Sequence, residues 1–311
     1  MAQSFVDASI VKVDENEKQS VVFIEDNGGN SLRLQLFQGM YYNCFFKPST
    51  LRQIQSVSLR QEDVYVSAYP RTGTHWTFEM ASMLLNGRAE TIPKYKGHNQ
   101  LEFATNEDLS CLPSPRVINT HEWLSNAPAD LKRLKCKVIY LVRDPRDVAV
   151  SLYNAYIDLK FYVNKKGTFE DFLTLFLEGK VDMNGVFDHI RDAEKFFNEN
   201  PDIPVHFMIY EETTRDTQLA VQKLSDFLGL TRNDDLCRAI VDKCTFSRMV
   251  VDKDPYSRKV DGKSVLYRKG TVGDWRNWFT EEMLEEYYRV YEETMAGSRF
   301  YDRYAKDRLQ G

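Results

Sequence analysis

What this chain lacks narrows its roles. No apolar run among its 311 residues approaches the ~20 residues that a membrane-spanning helix needs. The opening Met1-Ala2-Gln3-Ser4 has neither a basic stretch nor an apolar core, so no secretory leader is expected. Cysteine is sparse: Cys44, Cys111, Cys136, Cys237 and Cys244 are odd in number and widely spaced, and no pair has metal-ligand or redox spacing. That excludes a disulfide framework and predicts free thiols in the cytosol. A basic excess is missing too. The net charge of −5 argues against a general nucleic-acid binder. There is no Pro/Gly/Ser linker, repeat or low-complexity tract, so a single globular unit is expected.

What is present suits a packed α/β domain. The chain is 42% hydrophobic and 28% charged, enough to bury a full core. Val21–Ile24 and Leu32–Leu36 read as strands joined by a turn at Asn27-Gly28-Gly29-Asn30. Val64–Ala68 is a strand, followed by a helix over about 74–86 that stops at Gly87. Further strands are expected at 116–120, 137–142 and 205–210. Helices are expected over about 145–160, 169–178, 186–198, 217–228, 234–243 and 281–295. Strands alternating with helices imply one domain with a central parallel sheet flanked by helices. Residues 1–60 read as an N-terminal extension packed on a main domain of 61–311.

Two segments carry phosphate-binding chemistry. Tyr69-Pro70-Arg71-Thr72-Gly73-Thr74-His75-Trp76 lies between a strand and a helix, where unpaired backbone N–H groups and the helix dipole attract anions. Without a Gly-Lys-Ser/Thr it is P-loop-like rather than a P-loop, which disfavours a magnesium-ATP kinase. Read locally, it serves equally as an ordinary helix start. The second segment is Arg268-Lys269-Gly270-Thr271-Val272-Gly273-Asp274-Trp275, and Arg143 and Ser151 lie between the two. His121, at the end of strand 116–120, is a candidate general base, having an ordinary pKa of ~6.5.

Together these segments resemble the cytosolic sulfotransferases. Tyr69–Trp76 is similar to that family's Tyr-Pro-Lys-Ser-Gly-Thr-Thr-Trp loop, and Arg268–Asn277 to its Arg-Lys-Gly-x-x-Gly-Asp-Trp-Lys-Asn segment. Arg143 and Ser151 match its Arg-(seven residues)-Ser element, and Asn119-Thr120-His121 its Lys-Thr-His. The likeness runs from about residue 64 to 280.

The resemblance implies sulfonate transfer from 3′-phosphoadenosine 5′-phosphosulfate (PAPS), with no metal, to a hydroxyl or amine of a small aromatic or apolar acceptor. It assigns Arg71, Thr72, Gly73, Thr74 and His75 to the 5′-phosphosulfate, with Arg71 also neutralising charge on the departing nucleotide. Arg143, Ser151, Arg268, Lys269 and Gly270 take the 3′-phosphate. Trp76, Tyr210, Cys244, Phe246 and Met249 take the adenine side. The acceptor would meet Asn119, Thr120, His121, Phe45 and Phe103. Tyr41, Tyr42, Phe46, Trp123, Tyr156, Phe161 and Tyr162 are further aromatics expected near it, each equally able to pack the core.

The departures are specific. Asn119 stands where many members carry lysine, and His75 replaces a threonine and is expected to donate a hydrogen bond or a charge. His98, His189 and His206 read as surface or strand residues, and Val251–Val265 as a long polar loop that could close over the site. The segment 276–281 only partly matches the family's dimer-forming stretch, so a homodimer is an open expectation. The competing function is a PAPS-binding protein with little turnover because of Asn119.

Overall fold

The computed structural model describes residues 9–14, 19–163, 167–231 and 233–305. The opening four residues, read above as no leader, lie outside them. Strands β1 (Ser9–Asp14), β2 (Gln19–Glu25), β3 (Ser31–Phe37) and β4 (Met40–Tyr42) form an antiparallel sheet in sequence order. The expected hairpin joins β2 to β3, and Ile24 pairs with Leu32. Asp26 shapes its turn by accepting from the backbone N–H groups of Gly28 and Asn30 at 3.0 and 2.7 Å.

The main sheet is parallel. Strands β5 (Val64–Ala68), β6 (Val117–Thr120), β7 (Lys137–Val142) and β8 (Val205–Ile209) lie in the order β6-β5-β7-β8. β5 carries no charge and is buried at every position, as a strand covered on both faces must be. Side chains alternate between two cores. Val64, Val66, Ala68, Ile139 and Leu141 pack with Phe78, Met80 and Leu224 on one face. Tyr65, Ile118, Val138 and Tyr140 pack with Phe172, Phe176 and Ile190 on the other, in the same cluster as Val22, Ile24, Leu32 and Leu34 of the N-terminal sheet. The result is an α/β domain with helices on both sides of a parallel sheet.

The helix Thr74–Asn86 is bounded by left-handed glycines, Gly73 at φ 106° and Gly87 at φ 63°. Pro145 opens the helix Pro145–Asp158, whose N-cap Asp144 accepts from the Arg146 amide. Two expectations are corrected. The strand expected to run to Tyr210 ends at Ile209, and Tyr210 starts a short helix to Arg215. The supposed loop 251–265 begins inside the helix Phe246–Lys253 and continues as a small hairpin, with Lys259–Val260 paired to Lys263–Ser264.

Candidate active site

The carboxyl ends of β5, β6 and β7 open into a cavity of about 440 Å³. Arg71, Gly73, Thr74, His75 and Trp76 line it from the loop and helix after β5. Arg143 and Ser151 come from the end of β7 and the helix beyond, and Arg268, Lys269, Gly270 and Thr271 from the C-terminal segment. Three stretches far apart in sequence therefore share one cleft.

The cations are held by their neighbours. Arg143 Nη1 donates to the Arg71 carbonyl at 3.0 Å and Nη2 to the Thr271 carbonyl at 3.3 Å, while the guanidinium carbon sits 4.2 Å from the centre of the Tyr210 ring. Its Nε is buried without a hydrogen-bond partner. Arg71, with a left-handed φ of 70°, donates from Nε to Ser151 Oγ at 3.1 Å. Burial, then the charges of Arg143 and Arg268, lowers it to about 10, so it stays cationic at neutral pH. Arg268 and Lys269 both bond to Asp274, at 2.7 and 2.8 Å. Burial works against ionisation of Asp274, yet bonds from Lys269, Arg268 and Asn277 hold its carboxyl well below the usual range.

Asp147 fastens this segment. It is 1% exposed and accepts from the backbone N–H groups of Gly273 at 2.7 Å and Trp275 at 3.0 Å. The fully buried Arg146 stacks on the Trp275 ring at 4.0 Å and donates to Tyr288 Oη at 2.8 Å. Gly270 is required by space. A Cβ there would meet Phe246 ring atoms at 2.3–2.9 Å, and its φ is +67°.

His121 lines the cavity from the end of β6 and is only partly buried. Its Nδ1 lies 2.8 Å from the Ala68 carbonyl, which can only accept. Nδ1 therefore carries the proton and Nε2 is left with a free lone pair. Glu102 holds the strand end by accepting from Thr120 Oγ1 at 2.7 Å and from the His121 backbone N–H. Burial and then Lys96 lower His121 to about 3.

Other expected residues fall on both sides of the cavity wall. Cys244, Phe246, Met249, Tyr210, Phe45 and Phe103 line it, as do Phe46, Tyr156 and Phe161. Thr72, Asn119 and Thr120 do not, and each is at most 2% exposed. The Thr72 hydroxyl turns back to the Tyr69 carbonyl at 2.7 Å, steadying the loop. Asn119 accepts from Lys96 Nζ and donates to the Asn99 carbonyl at 2.9 Å. Tyr41, Tyr42, Trp123 and Tyr162 are likewise outside the lining. Tyr42 donates to Glu122 at 2.6 Å, and Trp123 to the Met183 carbonyl at 3.1 Å.

The histidines need two corrections. His75 is held well below its ordinary pKa by burial, then by Lys96 and Arg71, so it offers a neutral ring and not a charge. His189 is no surface residue. It is 1% exposed, with Nδ1 2.8 Å from Tyr140 Oη.

Sequence reasoning missed Asn43, Tyr95, Gln100 and Asp182 in the lining, and reached Arg258 only as part of the segment 251–265. Asp182 accepts from the Asn43 amide and backbone at 3.1 and 2.9 Å, and burial raises it to about 7. Arg258 lies 3.4 Å above the centre of the Phe45 ring. None of these carries a local motif, because their placement depends on long-range packing.

A parallel-sheet domain with a cationic, glycine-shaped cleft beside a histidine defines a nucleotide-dependent transferase. The sulfotransferase domain model matches residues 61–299, and the chain belongs to the sulfotransferase family. Mouse Sulfotransferase 1A1 is 31% identical over 81% of this chain and 90% of its own length. Human Sulfotransferase 2A1 is 32% identical over 84% and 94%. Rabbit Amine sulfotransferase is 30% identical over 79% and 84%. Among solved structures, mouse sulfotransferase SULT7A1 complexed with PAP superposes with a TM-score of 0.76 at 28% identity, covering 89% of this chain and 99% of that one. Among the described residues, no helix is long and apolar enough to cross a membrane.

Proposed function

We propose that this enzyme transfers the sulfonate group of PAPS to a hydroxyl or amine on a small aromatic or apolar acceptor, with His121 taking the acceptor's proton. One observation carries the reading: a histidine with Nδ1 tied to a carbonyl, and Nε2 therefore free, lines the same cavity as Arg71, Arg143 and Arg268.

The residues fit the donor. The unpartnered Nε of Arg143 is a buried donor suited to a phosphate oxygen, and Arg268 and Lys269 stand beside it. The first turn of the Thr74–Asn86 helix and Arg71 suit the phosphosulfate. Trp76, Phe246 and Tyr210 offer ring faces to a purine. When bound, PAPS supplies an activated sulfonate. The neighbour bound to PAP supports the same nucleotide here.

His121 Nε2 accepts the proton as the acceptor attacks. Arg71 neutralises charge building on the departing nucleotide. Phe45, Phe46, Phe103, Tyr156 and Phe161 enclose the acceptor and exclude water. Arg258 and Val265 extend that lining from the segment after the Phe246–Lys253 helix, which supports a role for it as a cover.

Incubation with radiolabelled PAPS and a panel of phenols, alcohols and amines tests the reading. Labelled product is expected, falling by about 10²-fold or more in His121→Ala, with PAP affinity unchanged. Tight PAP binding without product from any acceptor would establish the competing reading, a binding protein. Failure to bind PAP would sink both.

A further inference from the structure

Lys96 is 2% exposed, yet no carboxylate lies within ion-pairing distance of its ammonium among the described residues. Lys96 Nζ donates to Asn119 Oδ1 and, at 3.2 Å, to Gln100 Oε1. Gln100 itself lines the active-site cavity. Asn119 lies in β6 two residues before His121, which follows the strand directly. The segment bearing Lys96 is set there by a parallel bridge from Gln100 to Asn119.

A buried ammonium without a carboxylate is costly, and lysine is rarely buried unless paired. Glu102, itself buried, offsets only part of that cost. We propose that Lys96 is a positioning residue for the transfer step: a buried cation, held by amides, that places positive charge behind the end of the cleft lined by His75 and His121. The idea rests on the sulfonate-transfer reading above, in which an anionic group arrives at that end.

Glu102 apart, the surrounding charges agree in sign. Arg71 and the ring of His75 face His121 from the phosphate-binding loop and its helix, and His189 faces it from the helix Val186–Glu199. Lys253 reaches His75 from the helix Phe246–Lys253. Glu102 is the acidic group acting on Lys96. Burial brings Lys96 down to about 7, partly offset by Glu102, so its proton is exchangeable near neutrality. Its positive charge opposes protonation of both imidazoles, which leaves Nε2 of His121 free as a base. In a cleft shielded from water such a field is weakly screened. An incoming anion favours the charged form of Lys96 and is favoured by it.

Lys96→Gln tests this, because it keeps an N–H donor for Asn119 and removes only the charge; Lys96→Arg keeps the charge. In Lys96→Gln, kcat should fall about ten-fold or more while PAP affinity stays within about two-fold. The ring protons of His121 and His75, followed by NMR, should titrate at least about half a pH unit higher than in the wild type. Lys96→Arg should restore both readouts in large part. Turnover within two-fold of wild type would overturn the proposal, and so would a lower kcat with unmoved imidazole titrations. If Lys96→Gln does not fold, Lys96→Met takes its place. If neither neutral variant folds while Lys96→Arg does, the charge serves the fold and the proposal is lost. The titrations need no turnover, so they separate this inference from the identity of donor and acceptor.

Discussion

The two ring nitrogens of His121 are made unequal by the Ala68 carbonyl, and this fixes which atom can accept a proton. It also sets a pH dependence. Burial and Lys96 hold the ring down to about 3, so it is already a free base throughout the neutral and mildly acid range. The acid limb of kcat/KM should lie well below pH 6, wherever the folded enzyme survives. An acid limb near the unperturbed value of ~6.5 would show a solvated ring instead. The linkage sign for stability follows. A histidine whose folded pKa is depressed is protonated first in the unfolded chain, so acid favours unfolding between ~6.5 and the folded value. Gly270 gives a second residue-scale test. With φ at +67° and Phe246 in the way, Gly270→Ala should cost about 1–3 kcal/mol in chemical denaturation. It should also weaken PAP binding, because the ring that yields belongs to the cavity wall.

Helices and strands were legible where punctuation was strong. Pro145 starts one helix, and Gly87 and Gly229 stop others in the left-handed region. Uncharged runs such as Val138–Val142 announce buried strands. Short elements were not legible. Pro48–Gln53, Ala129–Leu134 and Tyr210–Arg215 are each too brief to nucleate alone and depend on what they pack against. The helix Phe246–Lys253 buries chiefly Met249 and Lys253, whose ammonium pairs with Glu79 at 2.7 Å, so its sequence looked like polar loop. The charged residues of the phosphate-type segments stood out, but side-chain direction did not. Thr72 and Asn119 carry plausible chemistry and point into the protein, whereas the burial of Lys96 follows from the bridge of nearby Gln100 to Asn119, which no local pattern announces. At this scale Asp147 is the decisive clasp. Asp147→Ala leaves two backbone N–H groups without their acceptor and should cost about 1–3 kcal/mol. PAP affinity should drop measurably by calorimetry while the acceptor KM stays nearly constant. Equal losses on both sides would point to general unfolding of the cleft.

Across the whole molecule, the first 60 residues carry no phosphate-type segment, yet they supply Asn43 and the expected Phe45 and Phe46 to the cavity lining. Its β-sheet shares a core with Tyr140 and Phe172, so the aromatic and cationic sides of the cavity are built on one support. Binding at such a site should stabilise the entire domain. At a hundred-fold excess over its dissociation constant, PAP should add about 2.7 kcal/mol and raise the melting temperature. AMP and ATP, lacking the 3′-phosphate, should raise it much less at equal concentration. An equal shift with ATP would count against the 3′-phosphate role of Arg143 and Arg268.

Arg71 bonds to the Leu266 carbonyl, 195 residues further along the chain. A ribosome releases the polypeptide from its amino end, so the growing chain has His121 long before the cationic cleft can be completed. Ligand capture is thus among the last events of biogenesis, and a release-arrested chain ending before Arg268 should gain no protease protection from PAP.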